Sequence, residues 1–456
     1  MQENGISPLK NLKNKGNPPS LTIDEIQHNS RDEQDLAQNY MTYILGKIVP
    51  GLMGLISVPV FIQVFNSRVY GEFSLIYSAF LLFLSISTGW LNQGLIRFYS
   101  AYVEPEKFLR NIYHILFYNV LILLIPGIAI LKYFNYSLDL IFLLIITYFF
   151  ASYNALFIVE YQAKFLPSKI VISDAVRSVL FLILPVTLFY FKILSQPLMI
   201  LFCGVLFGFL VGNLFFVNIG NRKKTRLLSS DFLAPATSIK RVLIQLWTFG
   251  WPLSLWFVFA TLLNISDRYL ISYFLDLNKV GEYSAIYDLM YKSLACLLGP
   301  LLTAIHPRVV KYYNEGNTMV ALRILRRAII FELGIFVVIM IILYFFKDYL
   351  AIRLLGFGDE TKTMDLVMPI FIGSFLWHIA MLIHKPMELK KQTKPMLIAV
   401  LIALTANIIG NILLMPIYGL IVAAYTTIMG SAIYLLLISQ SLFAIFHPNS
   451  TYLLDE

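Results

Sequence analysis

Four basic residues lie inside long apolar stretches of this chain, where a charged side chain needs a partner. Lys47 and Arg177 each lie early in an apolar stretch. Arg268 lies late in a third stretch, and Lys292 follows Asp288 by four residues in a fourth. Placing a charge in hydrocarbon costs about 3 kcal/mol or more, so such residues usually face a polar cavity or one another. We therefore expect these four cations to line a substrate-binding cavity suited to an anionic substrate.

Each of these residues also has a plainer interpretation. Lys47 and Arg177 can extend their charged ends to the lipid headgroups. Asp288 and Lys292 share a helix face at four-residue spacing and can neutralise each other.

A histidine inside an apolar stretch titrates near neutral pH and can carry a coupling proton. The residues with a predicted role in gating or ion coupling are Asp288, His378, Arg97 and Arg308.

The sequence offers no catalytic, nucleotide or metal site. It contains no glycine-rich phosphate loop followed by Lys and Ser or Thr, the motif that ATP hydrolysis uses most often. Its two cysteines, Cys203 and Cys296, both lie in apolar stretches, and no Cys/His cluster has the spacing of metal ligands. We therefore expect no enzyme activity, no cofactor and no metal.

The elements that carry these charges are membrane spans. Hydrophobic residues make up 58% of the chain and charged residues 13%, and the mean hydropathy is +0.74, values that exclude a water-soluble protein. A helix needs about 20 apolar residues to cross the hydrocarbon core. The pattern predicts twelve spans, near 42–65, 73–95, 112–131, 138–158, 171–190, 198–219, 247–274, 282–304, 328–346, 364–384, 396–414 and 419–446.

Lysine and arginine are distributed unevenly between the loops. With the N-terminus in the cytoplasm, the loops on that side carry twenty Lys and Arg and the loops on the other side carry seven. Short loops rich in Lys and Arg remain cytoplasmic, which predicts that both termini are cytoplasmic. The net charge of +9 then reflects topology and contact with membrane lipid headgroups, and nucleic acid is not an expected partner.

A short motif occurs twice, each time after the first predicted span of a six-span half. Residues 71–77 (GEFSLIY) and 281–287 (GEYSAIY) share five of seven residues at an offset of 210. Six spans in each half is an even number, so this is a parallel repeat, as in some secondary transporters. The predicted units are a disordered cytoplasmic tail (1–40), an N-terminal six-helix bundle (41–220), a basic cytoplasmic linker (221–245), a C-terminal six-helix bundle (246–446) and a short cytoplasmic tail (447–456).

Two segments also carry a family resemblance. The segment Ile62–Tyr77, with its VYGEFS, and the following LNQGLIRFYS of residues 91–100 resemble the bacterial polysaccharide-biosynthesis flippases. These are O-antigen-type oligosaccharide transporters of the multidrug/oligosaccharidyl-lipid/polysaccharide exporter (MOP) superfamily. The resemblance implies an all-α polytopic protein of the bacterial inner (plasma) membrane with a MATE-like fold. It also implies that a polyprenyl-diphosphate-linked oligosaccharide moves from the cytoplasmic to the outer leaflet by alternating access.

Other functions compete with this interpretation. A cation-coupled multidrug antiporter uses the same fold, but it typically couples its ion through acidic residues, and the first span contains Lys47 and no acid. A membrane glycosyltransferase or polysaccharide polymerase is disfavoured by the repeat and by the short outer loops. Because no nucleotide site is evident, we expect an ion gradient of H⁺ or Na⁺ to drive the cycle.

Overall fold

The protein is helical throughout the part of the chain that the structure describes. A computed structural model describes residues 23–99, 104–164, 166–216, 239–357 and 362–439 with positions 102, 441 and 445, and it describes side chains from Gly46 onward except at a few positions. The elements are α1 (Ile23–Phe98), α2 (Pro105–Tyr133), α3 (Leu138–Ala163), α4 (Pro167–Tyr190), α5 (Pro197–Leu214), α6 (Ile239–Phe274), α7 (Leu277–Asn314), α8 (Thr318–Asp348), a π-helical segment (Tyr349–Leu354), a 3-10 segment (Lys362–Leu366), α9 (Val367–Ile383), α10 (Lys385–Leu389), α11 (Thr393–Tyr418) and α12 (Ile421–Leu437).

Nine helical segments among the described residues are long and apolar enough to cross a membrane. One of them, Gly46–Phe98, has 53 residues and contains two crossings, because about 20 residues span the hydrocarbon core. The remaining crossings are α7, which has 38 residues and carries several charges, and α12, an apolar helix of 17 residues. These crossings add up to twelve spans, six in each half, and confirm the predicted fold class.

The two crossings within α1 are separated by a sharp kink at Asn66. This residue has φ 67° and ψ 167°, and asparagine tolerates positive φ better than most non-glycine residues. Its side-chain Oδ1 accepts a hydrogen bond from the Val69 backbone N–H at 3.1 Å, which caps the start of the second crossing in the manner of a helix N-cap. The kink divides the apolar part of α1 into a first limb (residues 46–65) and a second limb (residues 67–98).

Local sequence signals explain where several other helices begin. Pro105, Pro167 and Pro197 occupy the first turns of α2, α4 and α5, where the missing N–H costs nothing. Ser137 caps α3 by accepting from the Leu140 N–H. Asp276 caps α7 by accepting from the Lys279 N–H. These starts make the turns between spans short, so successive spans run antiparallel.

The helices form two halves, with α1–α5 in the N half and α6–α12 in the C half. Their loops lie at two ends of the bundle. The end where α1, α3, α5, α7 and α9 terminate carries basic residues such as Arg97, Lys164 and Lys311 and is called the basic face. The end that holds Asn66 and the turns after α2, α4, α6, α8 and α11 is called the opposite face. The halves meet where α1 packs against α6 and α7.

The two copies of the repeated motif contact each other near the opposite face. A Cβ built on Gly71 would lie 2.7 Å from the Gly281 backbone nitrogen, and a Cβ built on Gly281 would lie 1.9 Å from the Ser67 carbonyl oxygen. Only glycine permits backbones to approach this closely. Because Gly71 and Gly281 are repeat-equivalent, their contact places them beside the axis that relates the halves.

A second close approach joins the halves nearer the basic face. A Cβ built on Gly250 of α6 would lie 2.4 Å from the Trp90 carbonyl oxygen. The Trp90 and Trp247 rings pack edge to face with centroids 5.4 Å apart. The second limb of α1 therefore contacts α6 near the basic face and α7 near the opposite face.

The predicted polar segments are only partly described. Helix α1 begins at Ile23, so residues 23–40 have helical backbone where a disordered tail is predicted. The stretch RDEQDLAQ of residues 31–38 lacks Gly and Pro and contains good helix formers, which explains the difference. Three parts of the predicted organisation lie outside the described residues: the start of the first tail (1–22), most of the basic linker (within 217–238) and the second tail (within 446–456). The last residues of the linker, 239–245, belong to α6.

Candidate functional site

Five polar residues form a cluster between the halves. The Arg268 Nη2 on α6 lies 2.6 Å from the Asp288 Oδ1 on α7, and its Nη1 donates to the Ser74 Oγ at 2.6 Å. The Tyr70 hydroxyl donates to the Asp288 Oδ2 at 2.8 Å, and the Lys292 Nζ lies 4.0 Å from that oxygen. Since Tyr70 and Ser74 belong to α1, this central cluster connects the N half to the C half.

The two cations of the central cluster differ in accessibility. The Arg268 side chain is 8% exposed and its guanidinium also lies over the Tyr287 ring, 5.4 Å from the centroid. The Lys292 side chain is 35% exposed, and its ammonium has three donors to offer. Arg268 therefore connects the halves, whereas part of the Lys292 side chain remains accessible.

A second charged group, the N-half triad, lies between the first limb of α1 and α4. The Lys47 Nζ lies 3.2 Å from the Asp174 Oδ2, and the Arg177 Nη2 lies 3.0 Å from the Asp174 Oδ1. Asp174 is buried, while the Lys47 side chain is 56% exposed. The charged residues of the triad match those of the central cluster. Each group has two cations around one carboxylate, so each carries a net charge of +1.

The first limb of α1 lies beside both the N-half triad and the central cluster, which fixes their relative positions. A Cβ built on Gly54 would lie 3.8 Å from the Lys292 Cδ, so Lys292 lies against this limb. Lys47 precedes Gly54 by seven residues, which places it on the same helix face about 10 Å further along the axis. The Tyr77 hydroxyl lies within electrostatic range of both Arg177 and Asp288. The exposed ammonium groups of Lys47 and Lys292 therefore succeed each other along one side of α1.

The structure thus places the four predicted cations in two groups and gives each group a carboxylate partner. Arg268 and Lys292 share Asp288, as the four-residue spacing of Asp288 and Lys292 allows. Lys47 and Arg177 share Asp174, a residue that the sequence analysis did not single out. The four cations thus form two groups around two carboxylates, and their role in binding a substrate stays a prediction.

The residues predicted to act in gating or coupling lie in different places. Asp288 is the acceptor at the centre of the central cluster. His378 on α9 is half-buried, and its ring lies 5.2 Å from the ring of Tyr291. Tyr291 is the residue that precedes Lys292 on α7. Arg97 lies 6.0 Å from the Phe249 ring, near the basic face. Arg308 is exposed on α7.

A buried carboxylate in the C half was not predicted as a site. Asp267 is 1% exposed, and neutral groups from three other helices contact it. The Tyr283 hydroxyl and the Thr427 Oγ1 each donate to its Oδ2 at 2.8 Å. The Asn411 Nδ2 donates to its Oδ1 at 2.7 Å. Asp267 and Arg268 point in different directions, as adjacent helical residues must, so Asp267 faces the interior of the C half.

Asn407 extends this group, which we call the Asp267 pocket (Asp267, Tyr283, Asn407, Asn411 and Thr427). The Ser266 Oγ donates to the Asn407 Oδ1 at 3.1 Å, and the buried Asn411 Oδ1 has no protein donor. Carboxylate, amide and hydroxyl oxygens suit a hard cation or a proton, whereas transition metals favour His and Cys. Among the described residues, no group of three or more His, Cys, Asp or Glu side chains is arranged so that it could hold a metal ion.

Comparison with known proteins identifies the chain. A family model described as "Polysaccharide biosynthesis protein" matches residues 36–313, more than half of the sequence. The chain belongs to the polysaccharide biosynthesis protein family. A second model, MatE, matches residues 252–413. A search of curated proteins returned no match. The predicted membership of the MOP superfamily is thereby confirmed.

Solved structures of low sequence identity share the fold. A lipid II flippase MurJ in an inward closed conformation superimposes with a TM-score of 0.66 at 16% identity, covering 90% of this chain and 93% of that one. An inward-facing multidrug resistance MATE family transporter also gives 0.66, at 12% identity, with 90% and 99% covered. The MATE transporter VcmN of Vibrio cholerae gives 0.58 at 15% identity, with 93% and 100% covered. This family member is a multi-span membrane transporter with the MATE-like fold.

Proposed function

We propose that this family member is a flippase for a polyprenyl-diphosphate-linked oligosaccharide and carries it from the cytoplasmic to the outer leaflet of the bacterial inner membrane. The observation that carries the proposal is the pair of net-positive groups, the N-half triad and the central cluster. In this proposal the basic face is cytoplasmic, in agreement with the distribution of Lys and Arg among the loops.

The charge of the two groups matches that of the cargo. Each group has one cation more than its carboxylate neutralises. A lipid diphosphate carries about two negative charges, and charge-assisted hydrogen bonds to ammonium groups are among the strongest available in a protein. The exposed members, Lys47 and Lys292, can exchange a carboxylate contact for a phosphate contact without leaving a buried charge unpaired.

The position of the groups suggests a direction of movement. Lys47 lies nearer the basic face and Lys292 lies further along the first limb of α1. A diphosphate that enters from the cytoplasm meets Lys47 first and Lys292 second. The sugar occupies the polar space between the halves, while the polyprenyl tail remains in the hydrocarbon of the bilayer, as its solubility requires.

Release on the outer side requires the halves to separate at the opposite face. The contact of Gly71 with Gly281, the Arg268–Ser74 hydrogen bond and the Tyr70–Asp288 hydrogen bond all join the halves there. In this proposal the diphosphate also competes with Ser74 for the Arg268 guanidinium, which donates to the Ser74 Oγ across the halves. Substrate binding then weakens one of the polar contacts that hold this end closed, which is the kind of differential interaction that alternating access needs.

The Asp267 pocket is our proposed site of cation coupling. Asp267 is bonded to Arg268 along the chain, and Tyr283, which donates to Asp267, lies on the same helix as Asp288. Occupancy of the pocket by Na⁺ or H⁺ therefore acts on both helices of the Arg268–Asp288 pair. Such a ligand shifts the equilibrium between conformations only by its difference in affinity for them.

The second candidate is a cation-coupled multidrug antiporter, which the buried acid Asp267 would also serve. The two functions differ in the charge of the cargo. Drugs exported by such antiporters are commonly cationic, and the two net-positive groups repel a cation. We therefore rank the antiporter second.

Binding of a diphosphate tests the proposal directly. In purified protein, Lys292→Gln and Lys47→Gln each remove one exposed ammonium and are expected to weaken binding of geranyl diphosphate about tenfold or more. Lys279→Gln is the matched control, because Lys279 lies on the same helix α7 but pairs with Glu282. Unchanged diphosphate binding in both variants, together with export of a cationic dye that depends on Asp267, would favour the antiporter.

A further inference from the structure

A large apolar cleft lies at one seam between the halves, in the part of the membrane next to the opposite face. Its volume is about 570 Å³, within the range of ordinary ligand sites. Phe80 of α1, Ile128 of α2 and Tyr148 of α3 line it from the N half, and Tyr269 of α6 lines it from the C half. Because both halves supply its walls, the shape of the cleft depends on how the halves are placed.

A second apolar cleft, of about 340 Å³, lies at the other seam. The first limb of α1 with α7, α8 and α9 forms it, so the helices that line it are the repeat equivalents of those that line the first. The residues correspond as well, at the repeat offset of 210: Ala79 with Leu289, Phe80 with Met290, Phe83 with Ser293 and Tyr269 with Pro59. The clefts are therefore a feature of the duplicated architecture, and the one lined mainly by the N half is the larger.

The large cleft adjoins the central cluster. Leu75 and Tyr269 line the cleft, and the residues that precede them, Ser74 and Arg268, are hydrogen-bonded to each other in the central cluster. The cleft and the cluster thus lie on two sides of the same contact between α1 and α6. Leu289 and Ser293 of the second cleft follow Asp288 and Lys292 in the same way, so both clefts adjoin the cluster, and the first offers a lipid tail the larger volume.

The cleft is apolar inside and polar at its rim. Its lining is mainly Leu, Ile and Phe. At the rim, Tyr136 lies in the turn between α2 and α3, where burial and the nearby Glu72 carboxylate raise its pKa. The neutral Tyr136 hydroxyl hydrogen-bonds to Glu72. This arrangement suits a hydrocarbon chain that lies in the apolar interior of the cleft, with the polar rim next to the opposite face.

We propose that the large cleft binds the isoprenoid tail of the transported lipid while the opposite face is closed. The inference rests on the proposed flippase function and assigns a site to the part of the cargo that the charged groups do not contact. An isoprenoid diphosphate benefits from a tail site next to the central cluster, because one molecule then binds both. A bilayer glycerophospholipid carries no diphosphate, so it does not gain this combined binding at the central cluster and the cleft.

Through Tyr269, the shape of the tail site depends on whether the opposite face is closed or open. The Tyr269 hydroxyl lies 3.1 Å from the Ser78 Oγ and donates to the Leu75 carbonyl oxygen at 3.0 Å, so one cleft residue joins the two walls. Separation of the halves at the opposite face breaks these contacts and opens the cleft. The tail is therefore held in the closed state and released when the outer side opens.

Gly127 allows the cleft to be filled selectively. It lines the cleft on α2, and a Cβ built on it meets no atom within 4 Å, so Gly127→Leu places a side chain in the empty space without a clash. Gly334 is the matched control. It lies on α8, a Cβ built on it also meets no atom within 4 Å, and it lines neither cleft.

Photo-crosslinking of the full-length protein in lipid nanodiscs tests the inference. One probe is a polyprenyl diphosphate with a diazirine in its tail, and the other is a phosphatidylglycerol with a diazirine in one acyl chain. The polyprenyl probe is expected to label the outer half of α2, and Gly127→Leu is expected to reduce that labelling at least about tenfold, since small volume changes in apolar pockets have effects of this size. Gly334→Leu is expected to leave the labelling unchanged.

Two results would overturn the inference. One is equal labelling of α2 by the phosphatidylglycerol probe, which would make the cleft a general lipid site. The other is unchanged polyprenyl labelling in Gly127→Leu. Geranyl diphosphate, whose tail is short, separates these failures from failure of the proposed function. If it binds in a Lys292-dependent manner, the flippase proposal stands without the tail site, and if neither diphosphate binds, both proposals fall.

Discussion

Gly281 is the position where the smallest change should have the largest effect on conformation. A Cβ added there would lie 1.9 Å from the Ser67 carbonyl oxygen, whereas ordinary contacts begin near 3.4 Å. The shortfall is about 1.5 Å, and the obstructing atoms belong to the backbone, so no side-chain rotation relieves it. Gly281→Ala must therefore move α7 away from α1 at the opposite face.

The expected magnitude follows from the cost of overpacking. Inserting a group into a closely packed contact typically costs about 1–3 kcal/mol. This cost applies only while the opposite face is closed, because separation of the halves removes the contact with Ser67. A differential of that size corresponds to a shift of about 5- to 150-fold in the equilibrium between the closed and the open state. A protein that is mostly closed at this face would become substantially open.

Distance measurements between the halves provide the assay. Spin labels at Lys192 in the N half and Tyr418 in the C half occupy exposed positions at the opposite face. Double electron–electron resonance should show a longer distance population in Gly281→Ala than in the parent protein. Gly334→Ala, whose Cβ meets no atom within 4 Å, is the control. Identical distance distributions in a folded Gly281→Ala protein would refute the view that this contact closes the opposite face.

Three further changes give distinct readouts. Asp267→Asn keeps the size of the side chain and one acceptor oxygen but removes the charge of the Asp267 pocket, so substrate transport in proteoliposomes should lose its dependence on Na⁺ or H⁺, and persistent ion dependence would remove Asp267 from coupling. Arg268→Gln leaves the half-buried Asp288 carboxylate without its main partner, which should cost about 1–3 kcal/mol in thermal unfolding. The double variant Arg268→Gln/Asp288→Asn should recover much of that loss, and no recovery would contradict the pairing. Asn66→Val introduces a β-branched residue at φ 67° and should destabilise the protein by about 1–3 kcal/mol, whereas Asn66→Gly should be close to neutral in the same unfolding assay.

The span plan and the repeat were predictable because both depend on local sequence. Apolar stretches of span length and the motif shared by residues 71–77 and 281–287 led to twelve spans in two halves, which the structure confirms. The sharp kink that joins the first two crossings without a loop was not predictable, since it depends on one asparagine with positive φ at residue 66. Helix α7 crosses the membrane although it carries several charges, because Asp288 and Lys292 find partners inside the protein.

The candidate site was predicted only in part. Charged residues inside spans are rare, and this rarity singled out Lys47, Arg177, Arg268 and Lys292. The Asp267 pocket was missed because four helices contribute to it, although Asn407 and Asn411 at four-residue spacing in one apolar span were an available signal.

Composition and periodicity by themselves determined that this chain crosses a membrane twelve times and is duplicated, because the cost of burying polar groups in lipid acts on each segment separately. Only the tertiary structure decided which carboxylate each buried cation contacts, that Gly71 and Gly281 meet at the axis between the halves, and that apolar clefts lie at the seams. Those features depend on distances between helices far apart in the chain. Span hydrophobicity does not encode such distances, which arise from close approach at small residues and from the pairing of buried charges.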